Sequence, residues 1–150
     1  MAILESYTFE AMVGDPDDHR PATRWAALTD RPGGVEHLAA LVEEIAPGDR
    51  IPLHTHPIDE VVLYRSGGAT VTLGDESRAV DEGAVVFIPA ETPHGTVNDG
   101  AAPVRIFAVY PATTVGIRYL ERNPAPGTEG DEPQPPMTID LRTGEVAPAR

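Results

Sequence analysis

The residues with the clearest chemical potential lie between positions 51 and 68, in the stretch IPLHTHPIDEVVLYRSGG. His54 and His56 are separated by one residue, and Glu60 follows His56 four positions later. In a strand, residues i and i+2 share a face, so the two imidazoles would point in the same direction. This is the spacing that two imidazoles need to reach one metal ion, and Glu60 would add a carboxylate. A bare His-x-His is also common on exposed loops, so the pair alone leaves a surface role open.

The composition narrows which ligands a metal could have. The chain contains five histidines and no cysteine, so imidazole and carboxylate are the ligand types that it offers. No disulfide framework can form. The formal charge of −13, from 24 acidic and 11 basic residues, would repel a phosphate backbone, so we expect no nucleic-acid partner.

The first residues, MAILESYTFEAM, carry neither a basic leader nor an apolar run close to the roughly 20 residues of a membrane span. We therefore expect a cytoplasmic protein without a membrane partner. A length of 150 residues suits one domain with one core.

Short apolar runs separated by Gly, Pro and Asp turns repeat from 34 to 111, as in EVVLYRSGG and GAVVFIPAETP. Regular short strands of this kind predict a sandwich or barrel. The segment 35–46, VEHLAALVEEIA, favours a helix by propensity alone. Residues 122–136 are rich in Pro, Gly and acids and favour an exposed linker, whereas 137–146 alternate enough for a short strand.

Two spaced blocks of residues carry a family resemblance. They read Gly48-x5-His54-x-His56-x3-Glu60-x6-Gly67 and Gly83-x5-Pro89-x4-His94-x3-Asn98. Every spacing matches the two signature motifs of the cupin superfamily, and the chain resembles a small single-domain cupin over roughly residues 35–110. One position departs from the pattern, because Glu91 stands where the second motif usually has glycine. If that turn requires a positive φ, a non-glycine residue costs about 1 kcal/mol there.

The resemblance implies an all-β fold, a cupin-type double-stranded β-helix or jelly-roll barrel, with N- and C-terminal arms. The barrel core would occupy 35–110, after an N-terminal arm at 1–34 and before a C-terminal extension at 111–150 with a Pro-rich linker and a final strand. Residues 35–46 would then be extended despite their helical composition. Because small cupins often form dimers, the resemblance also implies a homodimer.

The same resemblance assigns His54, His56, Glu60 and His94 as ligands of one divalent transition metal per chain. The ligand types suit Fe, Mn, Ni, Co, Cu and Zn and do not choose among them. Four protein ligands leave positions open on a five- or six-coordinate ion, whereas tetrahedral Zn would be closed.

Strand parity suggests further residues around the site. Tyr64 shares a face with Glu60, and Thr96 shares a face with His94, so both are candidate substrate contacts in the pocket, with barrel filling as the alternative. An apolar wall is expected from Phe87, Ile88, Ile106 and Phe107.

These features predict a metal-dependent enzyme for a small organic substrate. The reaction would be dioxygenase-like or a redox-neutral isomerase, cyclase or lyase reaction, with Glu60 as the catalytic base. The alternative is a non-catalytic cupin module that binds a small molecule or a metal.

Overall fold

The computed structural model describes residues 5–11, 24–27, 36–122 and 130–149. Within these ranges the secondary structure consists of strands alone. The first seven are β1 (Glu10–Ala11), β2 (Arg24–Ala27), β3 (Ala39–Ile45), β4 (Arg50–Thr55), β5 (Glu60–Ser66), β6 (Ala69–Leu73) and β7 (Glu76–Val80). The remaining six are β8 (Val85–Ile88), β9 (His94–Val97), β10 (Val104–Tyr110), β11 (Thr114–Tyr119), β12 (Met137–Asp140) and β13 (Glu145–Pro148). The described residues accordingly include no helix that could cross a membrane.

The strands form two antiparallel sheets that face each other. One sheet has six strands in the order β1-β2-β3-β10-β5-β8, and the other has seven in the order β13-β12-β11-β4-β9-β6-β7. Several strands that pair with each other are distant in sequence, as β3 next to β10 and β4 next to β9 show, whereas the first and last strands pair with their neighbours in the chain. The predicted all-β jelly-roll fold is therefore confirmed.

The segment with helical composition is extended from residue 39 onward, as predicted. β3 pairs along its whole length with β10 and also pairs with β2. Its side chains at Leu41, Val42 and Ile45 are buried. Pairing on both sides and burial outweigh a helix preference that amounts to a few tenths of a kcal/mol per residue. His37, just before the strand, faces solvent with 93% of its side chain exposed.

The C-terminal stretch forms a hairpin rather than the single strand that its alternation predicted. β12 pairs with both β11 and β13, and Leu141 in the connecting turn is buried in the core. The prediction that residues 122–136 form an exposed linker is wrong at Gln134, because this side chain is buried. Residues 123–129 of that segment lie outside the described residues. The C-terminal strands thus extend the seven-stranded sheet.

Asn98 links the loops at one end of the two sheets and is fully buried. Its side-chain nitrogen donates to the carbonyls of Ile45 and Ala102 at 2.8 and 2.9 Å, and its side-chain oxygen accepts from the Gly100 amide at 3.1 Å. The Asn98 backbone also pairs with Gly48 and Asp49. The asparagine of the second motif therefore connects loops through its hydrogen bonds.

We predict that Asn98→Ala lowers the free energy of unfolding by about 2–3 kcal/mol. The substitution removes the side chain that hydrogen-bonds the carbonyls of Ile45 and Ala102 and the amide of Gly100, and it leaves these backbone groups without that partner. Urea denaturation measures the change. The matched control is Asp99→Ala, which removes an exposed hydrogen bond from Thr70 and should cost less than about 0.5 kcal/mol. Equal losses in the two variants would contradict this assignment.

Glu91 adopts a φ of 63° and is the one non-glycine residue with positive φ in the described part of the chain. Its amide donates to the carbonyl of His56 at 2.7 Å, so the strained turn holds the backbone of the first motif. We predict that Glu91→Gly raises the free energy of unfolding by about 0.5–1 kcal/mol, because relief of left-handed strain exceeds the entropy cost of glycine.

Thermal and urea unfolding would test this, with Glu82→Gly as the control. Glu82 is an exposed turn residue beside Gly83, and its φ is not positive. Glycine at position 82 relieves no strain and increases the conformational entropy of the unfolded chain, so it should lower the free energy of unfolding by about 0.5–1 kcal/mol. If both variants are destabilised alike, the strain at Glu91 is not significant.

Candidate metal centre

Three strands of the barrel bring the four predicted ligands together. His54 lies near the end of β4 and His56 just beyond it, while Glu60 begins β5 and His94 begins β9. All four side chains are buried, and their ligand atoms lie within 4.8 Å of one another. The two motifs, which begin at Gly48 and Gly83, therefore meet at one point in the barrel.

A β-bulge in β4 sets the direction of the first histidine. Ile51 lies opposite Thr96 and His54 lies opposite His94, so two residues of β4 face Gly95 alone. Because of this extra residue, Ile51 and His54 both point inward although they are three positions apart. A Cβ on Gly95 would lie 3.0 Å from the Ile51 carbonyl oxygen, so glycine is needed for the close approach.

Backbone carbonyls fix the tautomer of each imidazole. The Nδ1 atoms lie at hydrogen-bond distance from carbonyl oxygens: His54 to Pro52 at 2.7 Å, His56 to Gly116 at 2.7 Å and His94 to Thr92 at 2.9 Å. A carbonyl can only accept, so each Nδ1 donates and each neutral ring keeps its lone pair on Nε2. This is the arrangement that orients metal-binding histidines.

The lone pairs converge without protons between them. His54 Nε2 lies 3.1 Å from His56 Nε2, and Glu60 Oε2 lies 3.1 Å from His94 Nε2 and 3.5 Å from His56 Nε2. Within the described residues, Glu60 Oε2 and His94 Nε2 have no hydrogen-bond partner. Buried acceptors that face each other repel unless a cation lies among them.

The spacing also suits a metal ion. Ligand atoms about 2.1 Å from one ion, at angles of 90 to 109°, would lie about 3.0–3.4 Å apart. Burial lowers the pKa of His56 and outweighs the opposing effect of Glu60, so the imidazole stays neutral near pH 7, as a metal ligand must. The cluster of His54, His56, Glu60 and His94 could thus hold a metal ion.

Tyr110, on β10, orients the glutamate. Its hydroxyl donates to Glu60 Oε1 at 2.8 Å, which leaves Oε2 turned toward the histidines. Burial and then the charge of Glu60 raise the pKa of Tyr110 well above its usual value, so it remains a donor. The sequence reasoning missed this residue, although inward parity with Ile106 and Ala108 along β10 was the available signal.

The cluster opens into a cavity of about 290 Å³ between the two sheets. Its wall is largely aliphatic and includes Ile88 and Ile106, as predicted. The C-terminal hairpin closes one side through Ile139, Leu141 and Val146, a contribution that the sequence did not reveal.

Two of the four expected wall residues lie elsewhere. Phe87 is 69% exposed, because it alternates on β8 with Val86 and Ile88, which face inward. Phe107 is half-buried on the outer face of β10, between inward Ile106 and Ala108. The prediction that these phenylalanines line the cavity was therefore wrong.

Tyr64 and Thr96 both face the cavity from opposite sheets. The Tyr64 hydroxyl and Thr96 Oγ1 are hydrogen-bonded at 2.6 Å. Burial raises the pKa of Tyr64 to about 12 despite this hydrogen bond, so the phenol stays protonated at neutral pH. The pair therefore presents hydroxyl groups to whatever enters the cavity.

Known proteins share this architecture. A family model described as Cupin domain matches residues 41–110. An uncharacterised protein of Methanocaldococcus jannaschii is 36% identical over 69 residues, 45% of this chain and 55% of that protein, so the chain spans about half of that relative's length.

Solved structures cover the chain more completely. The polyketide cyclase RemF from Streptomyces resistomycificus has a TM-score of 0.72 at 22% identity, covering 96% of this chain and 97% of that one. A sugar phosphate isomerase of the cupin superfamily from Silicibacter pomeroyi has a TM-score of 0.66 at 20% identity, covering 95% and 85%. Residues 41–110 match the cupin domain model, and the two facing antiparallel sheets share the fold of these structures, which together support a small cupin-domain protein.

Proposed function

We propose that this protein is a metal-dependent enzyme that acts on a small, largely apolar organic molecule with a chelating oxygen. The single observation that carries the proposal is the convergence of three Nε2 lone pairs and the Glu60 carboxylate at the wall of an aliphatic cavity. A purely structural metal site would have no need for a cavity of about 290 Å³ beside it.

A bound divalent transition metal would polarise a substrate oxygen as a Lewis acid. The chain's own residues supply the proton chemistry. Glu60 Oε2 would accept a proton from the substrate when it leaves the metal ion, while Tyr110 holds Oε1 through its hydrogen bond. The Tyr64 hydroxyl, held protonated, can donate to a substrate oxygen once the substrate displaces its bond to Thr96.

These groups favour a redox-neutral isomerisation, cyclisation or elimination, since a carboxylate base and a hydroxyl donor suffice for proton transfer. A dioxygenase reaction is the second candidate, and it is favoured if the bound ion is Fe, Cu or Ni. The polyketide cyclase and the sugar phosphate isomerase that share the fold supply the first substrate classes to test. The aliphatic wall favours the polyketide-like class over a sugar phosphate, which would need cationic partners in the cavity.

A non-catalytic binding module remains the alternative function, and a measurement of turnover decides between an enzyme and a binding module.

The identity of the metal, the formation of a homodimer and the cytoplasmic location stay predictions. A metal content of about one ion per chain is expected from the single described cluster of His, Asp or Glu side chains at this spacing.

We predict that His56→Ala and His94→Ala each lower the metal content of the purified protein at least tenfold, because each removes one of four buried ligands. Plasma mass spectrometry of the dialysed protein measures metal per chain. His37→Ala is the matched control, since this histidine is exposed and remote from the cluster. Retention of the metal by both ligand variants would reject the site.

We predict that Glu60→Gln lowers turnover at least 100-fold, because glutamine cannot accept the proton. The apo protein is reconstituted with Fe, Mn, Co, Ni, Cu and Zn in turn and supplied with polyketide-like, diketone, flavonol, catechol and thiol substrates, while dioxygen uptake is recorded. Turnover without uptake selects the redox-neutral reaction, and turnover with uptake selects a dioxygenase.

Glu44→Gln is the control for this experiment, because Glu44 pairs with Arg105 on the outer face of β3. It should retain wild-type turnover. If substrates bind tightly but none turns over with any metal, and Glu60→Gln leaves that binding intact, the binding module becomes the function.

A further inference from the structure

A second carboxylate lines the cavity outside the ligand cluster. Glu43 is only 8% exposed and faces the cavity from β3, on the same side as Leu41. The neighbouring Glu44 is turned the other way, toward Arg105. The metal chemistry proposed above makes no use of Glu43. Few charged groups are buried in a protein without a reason in binding, catalysis or pairing.

The strand register places Glu43 at the opposite end of the cavity from the cluster. Glu43 lies opposite Ile106, and Ile106 lies opposite Tyr64, so these side chains form one row across β3, β10 and β5. Tyr110 lies opposite Ala39 and bonds to Glu60, which defines a second row. The rows are four residues apart on every strand, or about 13 Å.

The space between the two rows is apolar. Leu41, Ala108 and Val62 occupy the intermediate row and all face the cavity. The cavity therefore has a metal-ligand end and a distal polar end, the latter formed by Glu43 with the hydrogen-bonded pair of Tyr64 and Thr96. A ligand that spans it needs an apolar body with a polar group at each end.

The chemistry of the two ends differs. The metal-ligand end would take an electron-rich oxygen, whereas a carboxylate accepts hydrogen bonds at about four lone-pair sites and donates none. A single hydrogen bond between Glu43 and the protein would occupy one of these sites and leave the others for a ligand. A second acid at the distal end would be repelled, and a hydroxyl would be bound.

We propose that Glu43 is the specificity-determining residue of the cavity and receives a hydroxyl group of the substrate at the end remote from the metal. The substrate class is thus an apolar, hydroxyl-bearing molecule, such as a polyphenol, whose chelating oxygen lies at the other end. This inference rests on the proposed function, since it takes the cluster to be the anchoring point.

The test compares two probes that differ only at the distal end, 3-hydroxyflavone and 3,4′-dihydroxyflavone. Isothermal titration calorimetry measures their dissociation constants for the manganese-loaded protein without dioxygen. The wild-type protein should bind the dihydroxy probe about tenfold more tightly, as expected for one hydrogen bond to a charged group. In Glu43→Leu this ratio should fall to about one, with the affinity for 3-hydroxyflavone unchanged within about twofold.

Glu43→Gln keeps the shape of the side chain and part of its acceptor capacity, so an intermediate ratio of about three is expected. Glu44→Leu, one residue along the strand on the outer face, should keep the wild-type ratio. Unfolding curves for each variant separate a folding defect from a change in recognition, because a merely structural role would weaken both probes equally.

The metal end is tested separately with His94→Ala, which should weaken both probes by a similar factor. If His94→Ala changes neither affinity, the proposed function fails at its anchoring point. If His94→Ala behaves as expected but the probe ratio survives in Glu43→Leu, the inference about Glu43 is overturned alone. If neither probe binds the wild-type protein, the inference about Glu43 is also overturned.

Discussion

Three hydrogen bonds from imidazole Nδ1 atoms to backbone carbonyls determine the chemistry of this barrel. They direct three Nε2 lone pairs to one point beside a buried carboxylate, an arrangement that is unfavourable without a cation. The acceptor carbonyls belong to Pro52, Thr92 and Gly116. The site therefore depends on the backbone of β4, the turn before β9 and β11, rather than on the histidine side chains alone.

Three local features hold the backbone around the cluster. The bulge in β4 turns His54 inward, and Gly95 lets β9 approach the bulge closely. Glu91, with its positive φ, donates its amide to the carbonyl of His56. A strained residue next to a ligand-bearing segment persists when the surrounding structure fixes it, and such strain is concentrated at functional sites.

The cavity combines this polar cluster with an aliphatic wall and a distal polar row, and each comes from a different part of the fold. The cluster arises from the two cupin motifs, whereas Glu43 comes from β3, before the first motif. The hairpin of β12 and β13 completes the wall with Ile139 and Val146. In an all-antiparallel barrel the inward face alternates along every strand, so segments far apart in sequence can each contribute one side chain to the same space.

The sequence determined the ligand cluster and the fold class. Strand parity put His54 and His56 on one face, and the resemblance of the two spaced blocks to the cupin motifs added Glu60 and His94, because a motif at fixed spacing encodes local strand and turn geometry. Alternation along β5 likewise placed Tyr64 beside Glu60 on the inward face. The same alternation along β8 turns Phe87 outward, because its neighbour Ile88 faces inward.

Tertiary structure decided the rest. The extended conformation of 39–45 follows from pairing with β10 and β2, which local propensity cannot report, and here the family resemblance supplied what composition could not. The contact of Tyr110 with Glu60, the bulge that reverses parity in β4 and the position of Glu43 opposite Ile106 all depend on strand register. Register between strands distant in sequence is set by the packing of the whole barrel, so no local pattern contains it.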